Sequence, residues 1–295
     1  MKVLMTGSHG FVGTNLIEAL SGEHEIIRWN VRSDEELPEC DAVIHLAGKA
    51  HDVRCKKEDG REYYEVNTEL TKKIFDAFLR SKAKKFIFFS SIKAQDNDTP
   101  YAKSKKAAEN YLLNTNSANG TNNVSTGSTT AKNIYILRPC MIHGKGVKGN
   151  LPLLFKFVKK GWPWPLAAFE NQRSYASMGN VAYVVNELLM KDVKSGTYNI
   201  SDDESISTND LVRLISQAFS RNAKMLRLPK WIICYGVKLG DMFRLPLNSE
   251  RLAKLTSDYV VDNSSIKKAL NISSFPFSAK EGLMFTIKSM VNDKY

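Results

Sequence analysis

Thr6-Gly-Ser-His-Gly-Phe-Val-Gly13 is the stretch on which the fold turns. Before it runs the short apolar segment Val3–Met5, and after it Val12, Leu16, Ile17 and Leu20 recur at helical spacing within Phe11–Leu20. A strand, a glycine turn and a helix in that order make an anion cradle. Gly7 permits the tight turn, Gly10 lets the backbone come close to a bound phosphate, and Gly13 lets the helix pack against the strand. The first turn of the helix then offers free N–H groups to the anion.

Outward from this turn the strand–helix alternation continues. Glu25–Trp29 and Asp41-Ala-Val-Ile-His-Leu-Ala-Gly48 read as strands, and Asn67–Ser81 as an amphipathic helix carrying Leu70, Ile74, Phe75 and Phe78 on one face. Lys85-Phe-Ile-Phe-Phe-Ser-Ser91 reads as a fully buried strand, Tyr101–Leu113 as a helix, and Ile134–Arg138 as a strand stopped by Pro139. Near-continuous apolar strands between helices predict an α/β, Rossmann-type doubly wound parallel sheet covered on both faces. Only residues 31–40 separate the second strand from the third run, so the region that usually supplies another helix and strand is truncated. Residues 1–144 form the expected dinucleotide-binding domain. Within it, Asn114–Lys132 is rich in Asn, Thr, Ser and Gly and reads as a mobile surface loop. Residues 145–295 are expected to form mainly a smaller substrate-binding lobe, with segments that return to the sheet. Gly196–Ser201 reads as a strand there and Thr208–Phe219 as a helix.

Composition narrows the class. With 295 residues and 43% apolar content the chain can bury a large core. The four cysteines, Cys40, Cys55, Cys140 and Cys234, lack metal spacing and read as buried reduced thiols, with no metal site expected. The N-terminus shows no signal peptide and no run long enough to span a bilayer, which predicts a cytoplasmic protein. Trp231–Leu239 is apolar but interrupted by Lys238; it reads as a packed helix, with a membrane surface or a partner as the other occupants of that face. The formal charge of +11 favours anionic partners. Its lysines, Lys82, Lys84, Lys85 and Lys103 among them, are scattered without an aromatic-interleaved stripe. They read as solvated surface, and no nucleic acid is expected.

Two further patterns carry chemistry. Tyr101 and Lys105 stand at i, i+4 on one helix face, just after a strand ending Ser90-Ser91. A phenol near a cation can give or take a hydroxyl proton while hydride moves, and Ser91 or Ser90 can hold the substrate oxygen. At the end of the second strand Asn30 stands where an acid would bind an adenosine ribose, and Arg28 and Arg32 can pair with a 2′-phosphate. NADP(H) is therefore favoured, with NAD(H) as the alternative.

Taken together, Thr6-Gly-x-x-Gly-x-x-Gly13, His45-Leu-Ala-Gly48, Asn67, Ser90-Ser91, Tyr101-x-x-x-Lys105 and Arg138-Pro139 resemble the extended short-chain dehydrogenase/reductases, the nucleotide-sugar epimerase/dehydratase group. The resemblance implies a catalytic set of Ser91, Tyr101 and Lys105. It also implies cofactor contacts from Gly7, Gly10, Phe11, Val12, Gly13, Asn30, Arg32, Leu46, Ala47, Gly48, Asn67, Tyr101, Lys105 and Pro139. Lys105 is expected to lower the tyrosine pKa and hold the nicotinamide ribose. Gly149-Asn150 and Asn171-Gln-Arg-Ser-Tyr175 resemble UDP-sugar-binding segments, which implies substrate contacts from Ser91, Asn150, Arg173 and, more weakly, Arg251. Within the group the chain is most similar to capsule and O-antigen enzymes that reduce a UDP-2-acetamido-2,6-dideoxy-hexos-4-ulose to UDP-N-acetylfucosamine or UDP-N-acetylquinovosamine. A UDP-hexose 4-epimerase with tightly held NAD is the alternative, and a non-catalytic dinucleotide- or RNA-binding relative a third. Ile92 and Lys93 replace the acidic pair of a dehydratase. His45 is expected to be structural, and homodimers are common in such families.

Overall fold

The computed structural model describes residues 1–30, 36–49, 60–95, 99–122, 132–242 and 248–292, with the backbone alone at 116–122, 240, 250 and 251. In chain order the elements are β1 (Lys2–Thr6), α1 (Phe11–Leu20), β2 (Glu25–Trp29), β3 (Ala42–His45), α2 (Arg61–Tyr64), α3 (Leu70–Arg80), β4 (Lys85–Phe89) and α4 (Pro100–Asn122). There follow β5 (Asn133–Pro139), β6 (Met141–His143), α5 (Asn150–Lys159), β7 (Tyr175–Ser177), α6 (Met178–Met190) and β8 (Gly196–Ile200). The chain ends with α7 (Thr208–Ala218), α8 (Lys230–Met242), α9 (Ser249–Thr256), α10 (Ser264–Leu270) and α11 (Ala279–Asn292).

Two compact units divide these elements. The first comprises Met1–Cys140, Asn180–Ile200 and Asn263–Ser274. It holds a six-stranded, wholly parallel sheet in the order β2-β1-β3-β4-β5-β8. The order reverses between β1 and β3, the switch point at whose carboxyl ends open α/β sheets bind ligands. All four residues of β3 and the last four of β4 are buried, as strands covered on both faces must be. One side of the core is aromatic: Phe75 and Phe78 from α3 each lie with ring centroids 5.1 Å from that of Phe86 of β4. The truncation expected after the second strand is present. Residues 36–41 carry neither helix nor strand, and among the described residues β2 pairs only with β1, so it ends the sheet there.

Local chemistry explains two further joints. Lys85 donates to the carbonyls of Leu188, Leu189 and Lys191 at the end of α6, and Lys132 donates to those of Phe78, Ser81 and Ala83 at the end of α3. A cation at a helix C-terminus satisfies the orphan carbonyls and opposes the negative end of the dipole. Lys85 is therefore a structural cap and not the solvated surface charge expected of it.

The second unit comprises Met141–Gly179, Ser201–Asp262 and Phe275–Tyr295. It contains the β6–β7 pair and the helices α5, α7, α8, α9 and α11. Ser207 caps α7 by accepting from the Asp210 N–H at 2.9 Å. Asp202 accepts from both N–H and hydroxyl of Ser177, and His143 Nδ1 lies 2.9 Å from the Thr286 hydroxyl.

Three expectations need correction. The loop expected over Asn114–Lys132 begins inside a helix, because α4 runs to Asn122 and 123–131 lie outside the described residues. Once Ala102, Ala108 and Leu112 bury one face, each further residue adds a backbone bond without a new nucleus, so polar composition does not stop the helix. Of the cysteines, Cys40 is buried, Cys140 half-buried and Cys234 exposed, and Cys55 lies outside the described residues. Finally, α8 packs only Ile233 and Val237 inward, while most of its other apolar side chains face solvent.

Candidate active site

The site grows from the carboxyl ends of β1, β3 and β4, three neighbours in the sheet. Gly7 leaves β1 at φ +68°, and a Cβ there would fall 2.6 Å from the backbone nitrogen of Ala47. Gly13 admits no side chain either, since its Cβ would stand 2.5 Å from the Gly7 carbonyl. Gly10 occupies the N-cap of α1 with no side chain capping the turn, which leaves the first-turn N–H groups of Phe11, Val12 and Gly13 for an anion. Leu46-Ala47-Gly48 runs beside this turn, with the Leu46 N–H on the Thr6 carbonyl at 3.3 Å. The cradle fits a dinucleotide pyrophosphate in shape and in donor set.

A polar chain under the turn fixes its geometry. The Ala47 N–H donates to Thr6 Oγ1, which lies 2.7 Å from His45 Nδ1. His45 Nε2 lies 2.9 Å from Thr71 Oγ1, and that hydroxyl donates to the Asn67 carbonyl. Because Thr71 spends its proton on Asn67, it accepts from His45, so Nε2 carries a proton and the neutral ring leaves Nδ1 to accept from Thr6. Burial, helped by Lys105, pushes the His45 pKa down to about 3, which keeps it so. This is the structural histidine expected from the sequence.

Asn67 sits fully buried in a π-helical stretch, Glu65–Glu69, between α2 and α3. Its amide accepts from the Lys49 N–H at 2.8 Å, donates to the Lys49 carbonyl and donates to Ser104 Oγ on α4 at 3.0 Å. All of its arms hold protein, so it ties the segment after Gly48 to α4. A Cβ on Gly48 would meet Asn67 Oδ1 at 2.9 Å and Lys105 Nζ at 3.1 Å. The close approach of three groups requires the glycine.

Tyr101 and Lys105 ride the first turns of α4. The Lys105 ammonium is buried, donates to the Phe89 carbonyl at 2.9 Å and lies 4.9 Å from the Phe88 ring centre. Burial lowers its pKa to about 8, against the pull of Glu109. The Tyr101 hydroxyl is hydrogen-bonded by Ser91, and its ring meets Tyr63 edge-on at 6.1 Å. Burial raises the Tyr101 pKa above the ordinary phenol value, Ser91 opposes this, and Tyr63 adds to it. Lys105 was expected to acidify the tyrosine. Here desolvation dominates the phenol, the ammonium is turned to the Phe89 carbonyl, and Ser91 is the group that favours the phenolate.

The two strand-end serines separate cleanly. Ser90 is buried and donates to Glu109 at 2.6 Å, whereas Ser91 turns to Tyr101. Of the other expected residues, Asn30 is exposed just past β2, Arg32 lies outside the described residues, and Pro139 is the buried last residue of β5, opposite Ile200. Asn150 and Arg173 belong to the second unit. Asn150 is exposed at the start of α5. Arg173 donates from Nη1 to the Ser257 carbonyl at 3.0 Å and lies 5.9 Å from the Tyr259 ring. The side chain of Arg251 lies outside the described residues. Sequence reasoning missed Tyr63, Ser104 and Glu109. Glu109 carried a legible signal, since it repeats the four-residue step of Tyr101 and Lys105 on the same helix face.

A glycine cradle at a sheet switch point thus stands beside a Ser–Tyr pair and a buried lysine, an arrangement with the shape and donors for a dinucleotide and a group able to move a proton. The chain belongs to the NAD dependent epimerase/dehydratase family, whose model matches residues 3–201. A UDP-glucose 4-epimerase from Vibrio cholerae is 29% identical over 331 aligned positions, covering 98% of this chain and 95% of that protein. A UDP-2-acetamido-2,6-beta-L-arabino-hexul-4-ose reductase from Pseudomonas aeruginosa is 37% identical over 120 positions, 38% of this chain and 31% of that protein. In fold, the chain is similar to a UDP-glucuronic acid 4-epimerase from Bacillus cereus in complex with NAD. The TM-score is 0.69 at 17% identity, with 99% of both chains covered. Among the described residues no helix is long and apolar enough to cross a membrane.

Proposed function

We infer that the protein reduces the 4-ketone of a UDP-2-acetamido-2,6-dideoxy-hexos-4-ulose, yielding UDP-N-acetylfucosamine or UDP-N-acetylquinovosamine for surface-polysaccharide synthesis. A nicotinamide dinucleotide, when bound, supplies the hydride. The cradle of Gly7, Gly10 and Gly13 would hold its pyrophosphate on the first turn of α1. Arg28 is exposed on β2, and Asn30 follows it in place of an acid, a pairing that favours NADP(H) over NAD(H).

The observation that carries the reading is the state of Tyr101. A phenol is protonated at neutral pH, and Tyr101, held by Ser91 beside the buried Lys105, is placed to donate to an alkoxide forming at sugar C4. As that proton leaves, the Ser91 hydrogen bond favours the phenolate left behind. Lys105 adds a positive field from the same helix and, in its cationic form, a donor for the nicotinamide ribose. Asn150 and Arg173 are the residues proposed to meet the sugar and the diphosphate, with Arg251 as a further phosphate contact.

A second reading, 4-epimerisation of a UDP-hexose, is favoured by the full-length similarity to the Vibrio cholerae enzyme. It asks the same Tyr101 first to take a proton from a C4 hydroxyl and then to return one to the opposite face. The two readings separate in one assay. Purified protein is given an enzymatically generated UDP-4-keto sugar with NADPH or NADH, and nicotinamide absorbance and product NMR are followed. Stoichiometric oxidation of the reductant supports reduction. Interconversion of UDP-glucose and UDP-galactose without added reductant, by protein that purifies with NAD, would replace it with epimerisation.

A further inference from the structure

α8 inverts the usual plan of a surface helix. At 3.6 residues per turn, Trp231, Met242, Tyr235, Leu239 and Ile232 fall within one sector of about 100°. That sector faces water: Trp231 is 72% exposed, Met242 66% and Tyr235 64%. The buried Ile233 and Val237 lie on the opposite side and hold the helix to its unit.

Positive charge borders the sector. Lys230 opens the helix, Lys238 borders the apolar face, and the exposed Arg227 precedes it. The acid on this helix, Asp241, is engaged elsewhere, accepting from the N–H and the hydroxyl of Ser249 at the start of α9. The chain as a whole carries +11. Trp and Tyr bring rings suited to a boundary between hydrocarbon and water, Leu, Ile and Met bring depth, and Lys238 at the border brings attraction to anionic headgroups.

We propose that α8 seats the protein on the surface of an anionic phospholipid bilayer, with Trp231, Tyr235 and Leu239 inserted at the headgroup–acyl boundary and Lys238 against the phosphates. A helix of 13 residues with this pattern lies in the interface and does not cross it. A second copy of the chain is the competing occupant. A two-fold contact would bring two Lys238-bordered faces of a chain carrying +11 together, and that repulsion disfavours it.

The test uses the full chain and two vesicle populations, one of equal parts phosphatidylglycerol and phosphatidylcholine, the other phosphatidylcholine alone. Expected are co-sedimentation with the first at least about tenfold tighter than with the second, and release at about 1 M salt, where the Debye length is about 3 Å. The tryptophan emission shifts to the blue on binding, and Trp231→Phe removes most of the shift. Trp231→Glu with Tyr235→Glu lowers vesicle affinity about tenfold or more, while ketone reduction in solution is kept. Both side chains are exposed, so the variant folds, which its unfolding temperature verifies. Equal binding to both vesicles, or binding to neither, overturns the proposal. So does a concentration-dependent dimer in sedimentation velocity that the double variant converts to monomer.

Discussion

Ser90 donates its hydroxyl proton to Glu109 Oε1 across 2.6 Å, and the same carboxylate receives both Nε and Nη2 of Arg138. The end of β4, the end of β5 and the helix bearing Tyr101 and Lys105 are thereby joined through one fully buried charge. A carboxylate can stand there because its lone pairs are occupied and a guanidinium fork faces it.

Glu109→Ala leaves the Arg138 guanidinium largely buried without its counter-ion. A stability loss of about 3–5 kcal/mol is expected in urea unfolding. A loss under about 1 kcal/mol would show that the clamp contributes little.

The division of labour between the serines separates stability from rate. Ser91→Ala removes the hydroxyl paired with Tyr101 and is expected to lower kcat about a hundredfold, as loss of one positioned donor does. Ser90→Ala instead lowers the unfolding temperature and leaves kcat within about tenfold of the parent, because its partner is a structural carboxylate. Tyr101→Phe abolishes the proton donor and costs about 10²–10⁴ in kcat. Steady-state kinetics of the three variants, with unfolding curves beside them, checks the set; equal kcat losses for Ser90 and Ser91 would contradict it.

Lys105→Met should show a distinctive pH slope. The lysine pKa falls from 10.5 to about 8 on folding, so between those values the unfolded chain binds more protons and wild-type stability rises with pH. The penalty is complete below about pH 8 and gone above 10.5. Relative to the methionine variant, the wild type therefore gains stability as pH climbs through that window. Denaturant titrations at pH 7, 9 and 10.5 measure it, and a flat difference would refute the buried ammonium. Activity of the variant is lost throughout.

His45 gives the mirror case in acid. Its pKa falls from 6.5 to about 3, so its neutral form contributes stability that is full above pH 6.5 and drains away as pH drops towards 3. His45→Gln lacks this proton uptake. Its stability is lower at pH 7, where the Thr6–His45–Thr71 chain is broken, yet falls less steeply between pH 6.5 and 3. Unfolding curves across that interval, compared for the two proteins, decide the matter; parallel slopes would disprove it.

Much of this architecture is legible in the chain, because the deciding signals are local. Val3–Met5 followed by Gly7, Gly10 and Gly13 fixes strand, turn and helix, and β3 and β4 announce burial through unbroken apolar runs. Tyr101 and Lys105 are readable from the helix period. What escapes is set by contacts distant in sequence. Ser91 can be told from Ser90 only once Glu109, 19 positions away, takes up Ser90. The state of Tyr101 depends on Tyr63, and the cap role of Lys85 on carbonyls more than 100 positions later. The exposure of α8 is hidden for a different reason. Periodicity marks the apolar sector of a helix but not whether protein covers it.

With β2 as the last strand of the sheet among the described residues, the adenosine end of a bound dinucleotide would have one strand fewer beside it than in a sheet that continues past it. Fewer contacts there would shorten residence, and any enzyme that spends its reductant at each turnover must shed the used carrier before the next. Rapid exchange suits a consumer of reducing equivalents, whereas a catalyst that regenerates its own carrier within one cycle gains from a long-lived grip.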